Sequence, residues 1–529
     1  MKKYILQLSA FTAILSLPTF AQDLKIATGG TMYVSPTAFV HVSSDIDISP
    51  DPDGPGSALA GSLIMDSVSD DYSDLFVVGT STGNAEYRRF TASAATRDLV
   101  APPVNGQAFN SFAAANPIIA TGTITTTNLM YGPFNTGTGS YLEYPSGDTT
   151  PLVSGKGYRA GTTSGGTLRY EGSISSVDTG VALAYGSSGY KYVNLVGNPF
   201  TTHINVTDIL TELTGNIHVN QVYAALYGWN GAGTNNPNTW RIFNNITTSP
   251  TELITPGQGF MIISTANGGT FPGGTFTFPE SSRRVAMNPK DDFIAGRQAT
   301  TTTPSSFKLK LLKGSNVSET SLYFIDKNGS RGLDVTYDAG ALGSGIGTHL
   351  VEDSQGVNMA IQVLSTDDLT ATDYSIPLEL SVSAGQQATI SVSDLNVPSG
   401  TEFYLEDALL NIQTLITSND YTFTPSSNLS GIGRFYLRTT SATFSTPNTD
   451  LNSVEIFSLN SVKKLVVQGQ LRNDSVLKIH DVRGRLIETH QLEASQTKHK
   501  LDVSTISSGI YIINLNNKYQ SKTTKLVIN

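Results

Sequence analysis

Apolar and polar residues alternate with a period of two along much of this chain, and that pattern restricts it to β-structure. Phe307, Leu309 and Leu311 alternate with Lys308 and Lys310. Ile376, Leu378, Leu380 and Val382 alternate with Pro377, Glu379 and Ser381, and Ala388, Ile390 and Val392 with Thr389 and Ser391. Successive side chains of a strand point to opposite faces, so such segments bury one face and wet the other. Lys327-Asn328-Gly329, Pro398-Ser399-Gly400 and Gly431-Ile432-Gly433 punctuate the pattern as the turns of antiparallel sandwiches do. Helical periodicity is scarce. One short candidate is Val206 to Leu213, where Ile209, Leu210 and Leu213 share a face and Gly215 stands beyond the end. The expected fold class is all-β and multidomain, built from antiparallel β-sandwich modules.

The 529 residues suggest three or four domains at about 150 residues each. Hydrophobic residues make up 39%, enough for several cores, so a disordered chain is not expected. The net charge of −10 argues against nucleic acid as a partner. The absence of Cys removes thiol nucleophiles, disulfides and thiolate metal sites.

Met1-Lys2-Lys3, the apolar stretch Tyr4 to Leu17, and Thr19-Phe20-Ala21 before Gln22 form a secretory signal pattern, with cleavage expected between Ala21 and Gln22. After this signal peptide (1–21), composition divides the chain. Residues 23–95 hold short apolar strands between polar turns, a β-rich region open to a small solenoid or a sandwich. Residues 96–298 are rich in Gly, Asn and aromatics. A Thr-rich linker precedes a sandwich at 305–445, a second linker follows, and 451–529 is a last small module. The middle region carries a weak internal duplication. Ser140 to Tyr144 is followed by Gly155-Lys156-Gly157-Tyr158, and Thr239 to Phe243 by Gly257-Gln258-Gly259-Phe260. These glycines read as hairpin turns and not as a phosphate cradle, because no βαβ unit surrounds them. The last module has eleven Lys/Arg against six Asp/Glu, a surplus of five positive charges on an otherwise acidic chain, which suggests different partners for each part.

That last module resembles the C-terminal sorting domain (type A) of the Bacteroidetes type IX secretion system. The resemblance rests on Val476 to Arg485 (VLKIHDVRGR), Leu501-Asp502-Val503-Ser504, Ser507 to Ile513 (SSGIYII) and the closing Lys525-Leu526-Val527-Ile528. The family's opening Tyr-Pro-Asn-Pro is replaced here by Ile456-Phe457-Ser458-Leu459-Asn460. The resemblance implies an Ig-like domain recognised by an outer-membrane translocon, with the cargo released or attached to surface lipopolysaccharide. The residues it singles out are Gly484, Arg485, Gly509 and Lys525. The body also resembles non-catalytic regions of large secreted Bacteroidetes proteins. Asn194 to Phe200 (NLVGNPF) and Pro256 to Phe260 (PGQGF) carry this likeness, as do Phe403 to Asp407, Tyr421-Thr422-Phe423 and Arg434 to Leu437.

Signals for chemistry are few. Gly79-Thr80-Ser81-Thr82-Gly83 matches a nucleophile elbow, but a strand-like segment follows where a helix belongs. The seven His are scattered, and the pairs Asp70-Asp71, Asp291-Asp292 and Asp367-Asp368 read as loop acids. Asp45, Asp47, Asp51 and Asp53 form an acidic loop whose oxygens suit Ca²⁺, although Pro50 and Pro52 interrupt the spacing. No other cofactor is expected. Asp66-Ser67-Val68, Asp148-Thr149-Thr150 and Asp474-Ser475-Val476 resemble the Bacteroidetes O-glycosylation motif, with Ser67, Thr149 and Ser475 as acceptors. The expected function is that of an exported surface β-protein with a structural or adhesive role and no enzyme activity. A polysaccharide or cell-surface ligand could stack on Trp229 or Trp240. The alternatives are a secreted hydrolase using Ser81 or the acid pairs, and a passive surface-layer component.

Overall fold

The computed structural model describes residues 23–49, 62–95, 97–185, 192–229, 240–265, 274–285, 304–343, 345–352, 356–371, 375–439, 451, 454–459, 463–469, 471, 473–494, 498–517 and 521–528. The chain divides into two compact units, Met1–Thr301 and Thr302–Asn529.

The first unit begins with strands of two to seven residues: β1 (Leu24–Ile26), β2 (Thr31–Val34), β3 (Phe39–Val42), β4 (Ile46–Ile48), β5 (Ser62–Met65), β6 (Asp74–Val77), β7 (Ser81–Thr82) and β8 (Ala85–Thr91). Their pairing is parallel. β1, β4 and β7 form one ladder, β2, β5 and β8 a second, and β3 and β6 a third. Each strand pairs with the strand one coil later and not with its neighbour in sequence, so the chain winds as a three-faced solenoid. The all-β expectation holds, but here the sheets are parallel, not antiparallel. Parallel stacking in register lines up inward side chains, as with Val34, Met65 and Tyr87, each at most 2% exposed. The solenoid interior is continuous with a core that reaches Ile174. It takes residues from both sides of position 95, where composition suggested a boundary.

Two four-stranded sheets follow and repeat one plan. β9 (Asp98–Val100) is followed by the helix Phe109–Ala115, then β10 (Tyr131–Asn135), β11 (Ser140–Tyr141) and β12 (Tyr158–Ala160), in the spatial order β11-β10-β12-β9. Val193–Gly197 is followed by the helix Val206–Leu213, then Leu226–Trp229, Trp240–Phe243 and Gly259–Ile263, and these strands adopt the same order. The second helix is the one its apolar spacing predicts. Asn205 caps it, accepting the Asp208 N–H at 3.1 Å. The first helix, FNSFAAA, is too short and too uniformly small or apolar to announce itself.

The repeated Gly-x-Gly segments cross reciprocally between the two sheets. Gly197 N–H donates to Gly155 O, and Ala101 N–H donates to Gly257 O. Gly155 and Gly257 lie at φ 79° and 67°, backbone that favours glycine. A Cβ on Gly157 would sit 2.4 Å from the Leu195 side chain, and one on Gly259 would sit 2.7 Å from the Leu99 backbone. These glycines therefore permit two backbones to touch, which is more than the turn role assigned from sequence.

Two segments close the exposed side of the solenoid. The strand Gly166–Gly172 pairs antiparallel with β8. Thr201 bonds the Leu75 backbone twice, through its carbonyl and its hydroxyl. Covering these edges removes a template for edge-to-edge association.

In the second unit, residues 305–438 form one hydrogen-bonded path of strands curling around a core that includes Phe307, Leu322, Leu378, Phe403 and Phe435. Within it Asp338 is fully buried. One carboxylate oxygen accepts Val363 N–H at 2.7 Å and the other Asp334 N–H at 2.8 Å. Burial, with the Asp334 carboxylate adding to it, pushes Asp338 up to about 8. An acid raised in the folded state contributes its full share of stability below its unfolded pKa of about 4 and loses it as pH rises toward the folded value. Melting temperature is therefore expected to fall between pH 5 and pH 8, and Asp338→Asn should flatten that slope. An unchanged slope in the variant would assign the pH dependence to other groups.

Candidate functional site

Residues 454–528 form a seven-stranded antiparallel sandwich. Glu455–Leu459, Lys464–Gln468 and Lys498–Asp502 make one sheet. Leu486–Leu492, Ser475–Asp481, Gly509–Asn516 and Ser521–Ile528 make the other, in that order. Leu465, Val467, Leu477, Ile479, Ile513 and Leu515 fill the space between them. Tyr511 OH donates to Ser507 O at 2.7 Å, pinning the corner where the strand from Gly509 begins, as tyrosines do in immunoglobulin-like sandwiches.

The residues singled out from sequence gather toward one end of the four-stranded sheet. The Asp481 carboxylate accepts the Arg483 and Arg485 N–H groups and pairs with Arg485 Nε at 3.2 Å. Those backbone hydrogen bonds, the one from Arg485 foremost, hold Asp481 below the usual carboxylate range. Gly484 completes the turn at φ 82°. Gly509 pairs with Ile528 at the same end. Leu486, His480, Ile512 and Lys525 align across the four strands on the outer face, beside the pair Ile510–Val527. Leu486, Ile510 and Val527 are each 42–50% exposed, and Val482 in the turn is 68% exposed. Toward the other end the face turns polar, with Lys478, Thr489, Asn514 and Thr523. The sandwich therefore presents an apolar patch flanked by Arg485 and Lys525, a surface suited to protein contact.

The other candidates fall differently. Ser67 is 1% exposed, and its Oγ donates to Arg88 O and accepts Phe90 N–H. Ser475 is fully buried and donates to Asn473 O. Both hydroxyls, expected from sequence to be open acceptors, are turned away from solvent in the folded chain, Ser67 at its isolated bridge with Tyr72 and Ser475 at the inward-facing first position of its strand. Thr149 is exposed. Asp45 Oδ1 accepts the Thr80 N–H and hydroxyl at a solenoid turn, and Asp47 pairs with Lys25 at 3.0 Å and accepts Thr82 Oγ1–H at 2.8 Å. Both carboxylates join coils of the solenoid. Asp51, Asp53, Ala21 and Gln22 lie outside the described residues, as do Asp291 and Asp292. Among the described residues no three His, Asp or Glu side chains gather around a metal-sized space.

Ser81 stacks in register below Ile46. Its Oγ is buried without a hydrogen-bond partner, and β8 follows where a nucleophile elbow would have a helix. Asp368 pairs with Arg331 at 2.9 Å, and Asp70-Asp71 occupy a tight turn closed by the Ser67–Tyr72 bridge. Trp229 is half-buried; the Trp240 side chain lies outside the described residues.

Sequence spacing did not reveal a buried His–carboxylate pair. His203 Nδ1 lies 2.7 Å from Asp74 Oδ1, which also accepts the His203 N–H at 2.8 Å, although the two residues stand 129 positions apart. His203 is fully buried, and the pair joins the repeats to the solenoid. The NLVGNPF and PGQGF blocks do similar work. Asn198 Nδ2 donates to three carbonyls, of Thr202, Ile254 and Thr255. Gln258 donates to Leu99 O and accepts from Arg89. Their polar groups are consumed in holding the backbone together.

A family model described as a domain of unknown function (DUF8693) matches residues 3–438, and one described as a secretion system C-terminal sorting domain matches residues 455–529. No curated protein matches the chain. Among solved structures, dimeric latent PorU from Porphyromonas gingivalis is 13% identical over 42% of this chain and 30% of its own, with a TM-score of 0.13. The chain thus spans under a third of that protein. The BSP domain of a biofilm associated protein is 10% identical over 66% of this chain and 92% of its own, with a TM-score of 0.15. Likenesses at that level carry no argument about fold or activity.

Proposed function

We propose that this chain, which belongs to the DUF8693 family and carries a C-terminal sorting domain for type IX secretion, delivers a non-catalytic β-scaffold to the cell exterior, where it serves a structural or adhesive role. Export to the surface or medium follows from the sorting domain, which also implies contact with the type IX machinery. The observation supporting a scaffold is the fate of the buried polar residues: Asn198 and Gln258 of the motif blocks are bonded to backbone and to Arg89, and Asp74 is bonded to His203, all of them buried. The apolar patch flanked by Arg485 and Lys525 is the surface assigned to the machinery.

Cells expressing the full chain beside one ending at residue 450 provide the test. The full chain should reach the surface or medium, and the shortened chain should remain in the periplasm. Delivery of both to the exterior would refute the sorting role. Within the full chain, Val527→Thr together with Ile510→Thr should impair export while the melting temperature stays nearly constant, because both side chains are about half exposed and threonine keeps the β-branched shape of a cross-strand pair without adding charge. A glycan array probed with residues 22–450 tests adhesion separately.

A further inference from the structure

The outer face of the first repeat's sheet holds two arginines that the architecture does not require. Arg159 lies in β12 opposite Leu99 of β9, and Arg97 stands two positions before Leu99. The reciprocal crossing of the repeats, Gly155 with Gly197 and Gly257 with Ala101, makes Met261 the counterpart of Arg159 and Val193 the counterpart of Arg97. Both counterparts are buried apolar residues. The same strand order is thus built elsewhere in the chain without either charge.

Several features set these arginines apart. Arg97 has φ 60°, a left-handed conformation unfavourable for a long side chain. Its Nε is buried and has no hydrogen-bond partner, a situation that calls for an explanation in a native fold. The Arg159 guanidinium stacks on the ring of Tyr141, 4.4 Å from its centroid, with only 13% of its side chain exposed. Burial and the neighbouring Arg97 charge both lower Arg159, and Tyr141 feels both arginines. The strand register puts Leu99 opposite Arg159, so Arg97, two residues along, lies diagonally across from it and the two like charges stand on neighbouring segments. The carboxylate beside them, Glu143, lies 3.3 Å from Arg159 but is committed to the backbone N–H groups of Thr123, Ile124 and Thr125. One carboxylate so engaged leaves the pair with a net positive charge.

We propose that Arg97 and Arg159, beside the Tyr141 ring, form a binding site for an oxyanion, the carboxylate, sulfate or phosphate group of a ligand. A planar guanidinium fork is suited to such groups, and a bound oxyanion would supply the acceptor that Arg97 Nε lacks and relieve the repulsion between the two cations. The site does not depend on the export reading. Two sources offer this chemistry, a free inorganic anion and an acidic polysaccharide.

Calorimetric titration of the chain from residue 22 to residue 529, at constant ionic strength set with chloride, separates them. The probes are inorganic phosphate, sulfate and oligogalacturonate. Saturable binding of at least one probe is expected, weakened about tenfold or more in Arg97→Gly and in Arg159→Met, and less in Arg97→Lys, which keeps the charge without the fork. Binding of oligogalacturonate alone identifies a polysaccharide site, and binding of phosphate or sulfate identifies a small-anion site; either supports the proposal. Arg97→Gly is chosen because it relieves the backbone strain and removes the orphaned nitrogen, so its melting temperature without ligand should equal or exceed that of the parent. No saturable binding of any probe, or unaltered binding by a folded Arg97→Gly chain, would overturn the site.

Discussion

Replacing Arg89 by alanine should destabilise the N-terminal unit by about 3–5 kcal/mol, the cost of removing one member of a buried charged network. Arg89 is fully buried. Its Nε donates to Gly257 O at 2.8 Å, one terminal nitrogen donates to Gln258 Oε1 at 2.6 Å, and the other bonds the Phe90 carbonyl and faces Asp98 at 3.4 Å. The side chain thus ties the last solenoid strand to the Gly-x-Gly crossing of the second repeat, 168 residues away. Alanine would leave the Gln258 oxygen and the Asp98 carboxylate without this partner and would open a void beneath Tyr72. Scanning calorimetry of the whole chain should show the transition of the first unit falling by roughly 10 °C, taking 2–4 °C for each kcal/mol. The transition of the second unit should stay in place. Arg89→Met separates packing from bonding, because it fills the stem and lacks the fork. A methionine variant as stable as the parent would mean that volume, not hydrogen bonding, is what Arg89 supplies.

Asp407→Ala should cost the second unit a similar 3–5 kcal/mol. Asp407 and Arg434 form a two-pronged pair at 3.0 and 2.7 Å, with the Asp407 side chain fully buried and that of Arg434 8% exposed. Asp407 also accepts Tyr421 OH at 2.8 Å and the N–H groups of Leu409 and Leu410, which shape the hairpin turn. Alanine leaves the guanidinium uncompensated between the rings of Phe423 and Phe435, at 5.1 and 4.8 Å. Urea denaturation of the parent, the single variants and Asp407→Ala/Arg434→Met gives a double-mutant cycle. The double variant should recover part of the loss, since it removes the orphaned charge. A single-variant loss below about 1 kcal/mol would place the pair in the class of solvent-exposed ion pairs.

These networks mark how far the sequence could be read. The blocks Phe403 to Asp407, Tyr421 to Phe423 and Arg434 to Leu437 stand out as motifs, yet nothing in their spacing says that Asp407, Tyr421 and Arg434 meet. The antiparallel pairing of Tyr404–Asp407 with Phe435–Arg438 sets Asp407 beside Arg434, and Tyr421 reaches Asp407 from a strand paired with Ala388–Ile390. The burial of Ser67 and Ser475 is not legible in their tripeptides, because such a motif carries no information about which way a side chain faces. The solenoid stayed open for a related reason: strands of three or four residues have the same alternation whether their partner is the next strand or the one a full coil later.

Alternation and turn residues fixed the class of the fold, because a period of two is a local property of each strand. The tail's turn-and-strand motifs likewise marked it for export, because the family's signature residues lie in short contiguous segments of sequence. The parallel winding of the first strands, the reciprocal crossing of the repeats and the stacking of Arg159 on Tyr141 were decided by tertiary structure alone. Each depends on which distant backbones approach, and that choice is made by packing the whole core, a sum over residues that no local window contains.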